Sequence, residues 1–301
     1  MAFHSGLAGS EERHHAYGWK QPILGGANMV TNCFGLINEG TSLGITRRSM
    51  PAGGGFRTAE KYARQSGTRL AREETMKRSR VNEIIREGDA FIRSFGYIMP
   101  PFAYWSPAEL EARRPAGIID ARLGWDITDY GVEKFEELGL FLFTVRNGRA
   151  EDLKRGSGML YAEKIMISRK DQLSPMHRHN VKAEDIINRG GGQLVLELFM
   201  SHPDGSIDDR AEVRVPTDGV MRIMPAGSLL KLDPGESVTL MPGVWHAFWA
   251  EGSDVLIGEV STVNDDLTDN IFREKIGRFS TIEEDEEPVH LLVSDYEAWL
   301  Q

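Results

Sequence analysis

From Leu140 to Ser261 the chain is a series of short apolar runs, each broken after a few residues by Gly, Pro, Asp or Asn. The runs near 140–146, 161–169, 174–180, 193–200, 210–215, 219–224, 237–241, 246–250 and 254–261 read as strands. Asn147-Gly148, at the end of the first, is a tight-turn dipeptide. Residues 185–188 are ambiguous, a brief turn being one reading. So many short strands with turn residues between them must close into a sandwich or a barrel. The chain is therefore expected to be mainly β over its second half.

The stretch before this series reads differently. Val81 to Phe95 places Ile84, Ile85, Phe91, Ile92 and Phe95 at helical spacing. Ser106-Pro107-Ala108-Glu109 is a capping box with proline at the first helical position, so a second helix starts there. Asp129 to Leu138 reads as a third helix, stopped by Gly139. Residues 1–75 are rich in Gly, Ser, Thr and Arg, with weak apolar periodicity, and are expected to be loose or disordered. They either derive from an upstream start codon or form an extension that packs on a partner subunit. The expected organisation is thus an extension over 1–75 and a folded domain over 76–301, whose segment 81–139 is helical.

The 301 residues suffice for a full core. A net charge of −10 and a pI near 5.4 argue against a nucleic-acid surface and against docking on anionic membranes. Cys33 is the one cysteine, so no intrachain disulfide forms and a reducing, cytoplasmic setting fits. No apolar run approaches the roughly 20 residues of a membrane span. The N-terminus lacks the basic start and apolar core of a signal peptide. The acidic run Glu283 to Glu287 reads as solvated surface.

Chemistry concentrates in His177-Arg178-His179-Asn180-Val181-Lys182-Ala183-Glu184 and in Pro242-Gly243-Val244-Trp245-His246. Side chains at i and i+2 of a strand share a face, so His177 and His179 can reach one point. With Glu184 and His246 they make a set of imidazoles and one carboxylate that suits a first-row divalent ion: Mn, Fe, Co, Ni or Zn. His4, His14, His15, His202 and His290 have no such company and read as ordinary solvated or core residues. Lys182 would share the face of Glu184 on an extended chain. Glu259 alternates with Val255 and Ile257, which puts a carboxylate on an apolar strand face unless it is paired or metal-linked. Lys164, in the middle of a strand, is either inward and functional or outward and solvated. Glu197 poses the same question and could hold a ligand histidine from behind. Asp265, Asp266 and Asp269 suit turn and cap chemistry. Trp245, Phe248 and Trp249 read as core, and Phe102, Tyr104 and Trp105 as a lid or a subunit contact.

The two histidine segments match the paired cupin motifs, although Asp171 stands where a glycine usually precedes the first and no asparagine follows His246. The chain more closely resembles the D-lyxose isomerase family of cupins from about Met76 onward. The residues that carry this are Glu163-Lys164, His177 to His179, Lys182 to Gly192, Pro242 to His246 and Gly258 to Asp266. The resemblance implies a jelly-roll cupin barrel and a manganese-dependent aldose–ketose isomerase, usually a homodimer. Its expected sugars are D-lyxose and D-xylulose, with D-mannose and D-fructose slower. On that footing His177, His179, Glu184 and His246 hold the metal. Glu259 carries the carbon-bound proton, Lys182 and Lys164 bind substrate and stabilise the oxyanion, and Asp266 and Arg273 bind sugar hydroxyls. The ligand set also permits an Fe(II) cupin dioxygenase, and a non-catalytic sugar-binding cupin is a third class. Lys164, Lys182 and Glu259 favour the isomerase, because an oxygenase has less need of extra acid–base groups. Arg178 and Arg189 keep a phosphosugar variant open.

Overall fold

The computed structural model describes residues 75–300, and every structural statement below concerns them. The expectation for the N-terminal extension therefore lies, Thr75 apart, outside the described residues.

In chain order the strands are β1 (Met76–Lys77), β2 (Gly124–Thr128), β3 (Leu140–Asn147), β4 (Tyr161–Ser168), β5 (Ser174–His179), β6 (Glu184–Ser201) and β7 (Ile207–Asp208). There follow β8 (Val213–Thr217), β9 (Val220–Met224), β10 (Ser228–Leu232), β11 (Ser237–Leu240), β12 (Trp245–Thr262), β13 (Asn270–Phe272) and β14 (Ile282–Glu283). Ten of these form one sheet with the path β10-β6-β12-β4-β3-β2; β5 joins β12 to β13, and β7 and β11 pair with β6. The sheet curls on itself into a barrel, and the described chain is mainly β as expected. The barrel is filled by Leu194, Leu196 and Leu198 of β6, Leu230 and Leu232 of β10, and Phe248, Val255 and Ile257 of β12.

A second apolar layer covers the outside of β2, β3 and β4. Helix α1 (Arg78–Ser94) supplies Val81, Ile84, Ile85 and Ile92, spaced to share one helix face, against Phe141, Phe143, Ile165 and Ile167. Gly88 lets the helix lie close, since a Cβ there would come within 2.5 Å of the Phe141 ring. Helix α2 (Pro107–Arg113) opens with the expected capping box at Ser106 and Glu109. Phe102 and Tyr104 pack into the outer layer and Trp105 against a small C-terminal cluster, so they form no lid over the barrel.

The runs expected at 193–200 and 246–250 are halves of longer strands. β6 and β12 each span 18 residues and bend together. Their register slips between Glu251 and Val255 and again between Leu256 and Ile257. His246, Phe248 and Ala250 face inward, and so do Val255 and Ile257. The irregular step between these groups shifts the alternation by one residue, which puts Glu259 on the same face as His246. The glycine string of β6 permits the bend: Gly191 has φ +100°, and a Cβ on it would lie 2.0 Å from the Asp254 carbonyl oxygen. The ambiguous residues 185–188 are strand, not turn.

One expected helix is absent. Residues 129–138 are turns, with Tyr130, Gly131 and Glu133 at positive φ. Tertiary packing overrides helix propensity here. Tyr130 belongs to the barrel interior while Phe135 belongs to the outer layer. Asp129 accepts from Gly131 N and its own N–H donates to Ser280 Oγ, which pins the turn from both sides. The segment expected to be helical also contains β2, which completes the sheet beside β3.

Candidate active site

β5, β6 and β12 bring the metal-binding candidates to one end of the barrel. His177 pairs in register with His246, and Ser261 of β12 with Glu184 of β6. One ring nitrogen from each of His177, His179 and His246 lies within 4.8 Å of the others. His177 Nδ1 lies 2.8 Å from the Pro175 carbonyl and His246 Nδ1 lies 3.1 Å from the Val244 carbonyl. A carbonyl requires a donor, so both rings carry their proton on Nδ1 and leave Nε2 as the lone-pair nitrogen. Glu184 Oε1 comes to 3.3 Å from His179 Nε2 and 3.2 Å from His246 Nε2. His179 Nε2 and Glu184 Oε1 are nevertheless both buried without a hydrogen-bond partner. Buried polar atoms normally find partners, so orphans converging on one point fit a bound cation. Burial pushes His177 and His179 below the usual histidine range, with help from neighbouring rings for the first and from Lys182 for the second. Neutral imidazole is the form that ligates metal. The three histidines and Glu184 thus fit a divalent ion.

A chain of buried and half-buried charges of alternating sign leads away from this point. Lys182 Nζ donates to Glu184 Oε2 at 2.6 Å and to Glu259 Oε1 at 3.0 Å. Glu259 Oε1 in turn lies 3.6 Å from Lys164 Nζ, on the strand residue paired with it. Lys164 continues to Asp266 Oδ1 at 3.4 Å and donates to Asn264 Oδ1 at 2.8 Å. Asp266 Oδ2 is 3.4 Å from Arg278 Nη2, which donates to Asp126 Oδ2 at 2.7 Å. Burial by itself would raise the Glu184 and Asp266 carboxyls. Lys182 for the first, and Lys164 and Arg278 for the second, overcome it and hold both well below the usual carboxylate range. Burial would lower Lys182, but Glu184 and Glu259 reverse the sign and raise it. Asp126 is the exception: burial outweighs Arg278 and pushes it up.

All of these groups except Asp126 and Asn264 face a cavity of about 480 Å³, its open mouth included. Its polar wall is His177, His179, His246, Glu184, Lys182, Lys164, Glu259, Asp266 and Arg278; Phe248, Phe272 and Tyr130 are among its apolar wall. Residues 76–296 match the D-lyxose isomerase family. The chain belongs to the D-lyxose isomerase family. It is an aldose–ketose isomerase by class. The D-lyxose/D-mannose isomerase of Serratia proteamaculans is 46% identical over 226 residues, 73% of this chain and 98% of that protein. That of Escherichia coli O157:H7 is 44% identical over the same shares. Among solved structures, Cellulomonas parahominis L-ribose isomerase with L-psicose aligns with TM-score 0.48 at 17% identity, over 72% of this chain and 100% of that one.

Within this D-lyxose isomerase fold, Lys164, Lys182, Glu259 and Asp266 meet the four metal-site candidates in a single cavity. Arg273 is not among the cavity-lining residues; its Nε donates to Glu274 Oε1 at 3.0 Å. Arg278 stands at the wall instead, and its Nη1 is buried without a partner. Glu197 holds no ligand histidine: the Pro175 and Val244 carbonyls hold His177 and His246, and His179 Nδ1 is buried without a hydrogen-bond partner. Trp245 packs in a cluster separate from the barrel interior, whereas Phe248 lines the cavity. Sequence reasoning missed Arg278, Tyr130 and Phe272. Each sits in irregular chain or a three-residue strand, where no periodicity marks a face.

Proposed function

We propose that this isomerase is divalent-metal dependent and interconverts D-lyxose with D-xylulose, and D-mannose with D-fructose more slowly, by proton transfer through a cis-enediol. What carries the reading is the position of Glu259. It is a buried carboxylate between two buried lysines, in the same cavity as three clustered histidines and Glu184, of which His179 and Glu184 have buried atoms without a partner. His177, His179, Glu184 and His246 would hold the ion, Mn²⁺ foremost, with Co²⁺, Ni²⁺, Fe²⁺ or Zn²⁺ as substitutes. When bound there, such an ion supplies Lewis-acid stabilisation of charge developing on substrate oxygen.

The chain's own residues do the rest. Glu259 takes the proton from C2 of the open-chain aldose and returns it to C1. Lys182 and Lys164 donate to the oxygens on those carbons, where negative charge develops, and the hydroxyl proton on O2 passes to O1, so that both the carbon-bound and the oxygen-bound proton are accounted for. Asp266 accepts from sugar hydroxyls, and Arg278 offers Nη1 to an oxygen farther along the chain. The apolar wall of Phe248 and Phe272 suits the C–H faces of a sugar. In this reading residues 76–301 are the isomerase domain and 1–75 a separate extension. The enzyme works in the cytoplasm as a homodimer on a monosaccharide. The family kinship and the lone cysteine support that setting, and no described helix is long and apolar enough to cross a membrane.

The test is turnover by chelator-stripped protein with and without Mn²⁺, following ketose formed from D-lyxose beside D-mannose, D-xylose and D-ribose. Mn²⁺-restored conversion, fastest on D-lyxose, is expected. No ketose from any aldose, with metal shown to be bound, would sink the reading and direct attention to oxygen uptake. His179→Ala should lose both bound metal and activity. Solvent deuterium should enter C1 of the ketose; its exclusion would point to a hydride shift instead.

A further inference from the structure

Three consecutive amides bridge the two ligand-bearing strands, and one side chain takes all of them. Asp269 Oδ1 accepts from Asn180 N and Val181 N, each at 2.9 Å, and Oδ2 accepts from Lys182 N at 2.8 Å. The carboxylate is buried. It stands one residue before β13, whose Asn270 and Phe272 pair with His179 and His177. The arch 180–183 connects His179 to Glu184 and belongs to neither β5 nor β6. Strand β12 ties only the far end of the arch, where Ala183 N donates to Thr262 Oγ1 at 3.2 Å and the Ala183 carbonyl accepts from Thr262 N at 2.9 Å; the three N–H donors of 180–182 have no strand partner. Asp269 fixes these three.

We propose that Asp269 is a positioning residue for the reaction, which sets Lys182 against Glu259 by holding the Lys182 backbone. The inference rests on the isomerase reading and adds to it a residue that touches neither the sugar nor the cation. The division of labour between the two oxygens makes it testable. In Asp269→Asn, the orientation that keeps Oδ1 on Asn180 and Val181 turns an NH₂ toward the Lys182 amide, donor against donor. The opposite orientation loses two bonds instead of one. The asparagine variant is thus a lesion at the Lys182 backbone that leaves the rest of the arch tied.

A misplacement of about 1 Å costs on the order of 10²-fold in rate, so Asp269→Asn should lower kcat by about tenfold to a hundredfold. KM should hold, and Mn²⁺ affinity by titration calorimetry should match that of the parent protein. The deciding measurement is a double-mutant cycle with Lys182→Met. If Asp269 acts through Lys182, the double variant is no slower than Lys182→Met by itself. Additive losses, or a parental kcat in Asp269→Asn, would overturn the proposal. Asp269→Ser, whose hydroxyl keeps one acceptor, carries the same cycle if the asparagine variant does not fold. Absence of turnover in the parent protein would count against the isomerase reading, whereas additivity beside normal parental turnover counts against Asp269.

Discussion

Arg78 and Arg278 are each held by two carboxylates, and they differ in what is left over. Arg78, fully buried, closes α1 onto the C-terminal segment. Its Nε and Nη2 donate to Glu284 at 2.8 and 2.7 Å, and Nη1 and Nη2 donate to Asp295, each at 2.9 Å. Arg278, at the barrel mouth, has one short bond to Asp126, a longer approach to Asp266, and an Nη1 buried with no partner. Asp126 Oδ1 is an orphan as well. A saturated bidentate cluster is a finished structure: it has no capacity to bind anything else. A cluster with unmet donors and acceptors costs stability where it stands, and such groups persist where a ligand completes them. The difference separates a clamp from a site.

Breaking the clamp should have the largest effect on stability. Arg78→Met leaves Asp295 buried without its cation, a lesion of about 3–5 kcal/mol. Urea or thermal unfolding should show a loss of that size. The molecules that remain folded should keep the parental kcat, because Arg78 is not among the cavity-lining residues. A variant that stays stable but turns over slowly would make Arg78 part of the site and erase the contrast.

Arg278→Lys should invert the pattern. A lysine can keep the contact to Asp126 but cannot also reach Asp266 or present a second donor to the cavity. Unfolding should shift little. The specificity constant kcat/KM should fall by about tenfold to a hundredfold, the value of one hydrogen bond to a charged group. A loss of stability as large as that of Arg78→Met, with kcat/KM intact, would show that Arg278 is a second clamp.

The same contrast governs how much could be read from the sequence. His177 and His179 were legible because a strand period of two puts them on one face, and both remain in the cavity. Glu259 was legible for the same reason along Val255 and Ile257. That it shares the face of His246 was not, because the slip at 251–255 reverses the parity between them. The glycines of 190–192 announced some irregularity without its consequence. Arg278 and Asp126 pair across 152 residues, and neither lies in a patterned segment that would mark it. The failed helix at 129–138 has the same origin: Tyr130 and Phe135 answer to two different cores, and only the assembled fold reveals that. Local periodicity placed the groups on regular strands, while long-range electrostatics placed the rest.

The smallest effect concerns pH and sharpens the contrast from the acid side. Asp266 is held well below its usual range because Lys164 and Arg278 outweigh its burial. A carboxyl with a depressed folded pKa stabilises the fold above its unfolded pKa of about 3.9 and loses that contribution as pH falls through the folded value. Asp266→Asn removes the titration. Parent and variant should therefore differ most near neutrality and converge as pH drops below about 4. Urea unfolding at a series of pH values measures this. If the gap between the two proteins stayed constant into acid, Asp266 would be contributing shape and not charge. The alternating chain from Glu184 to Asp126 would then be cut at Asp266.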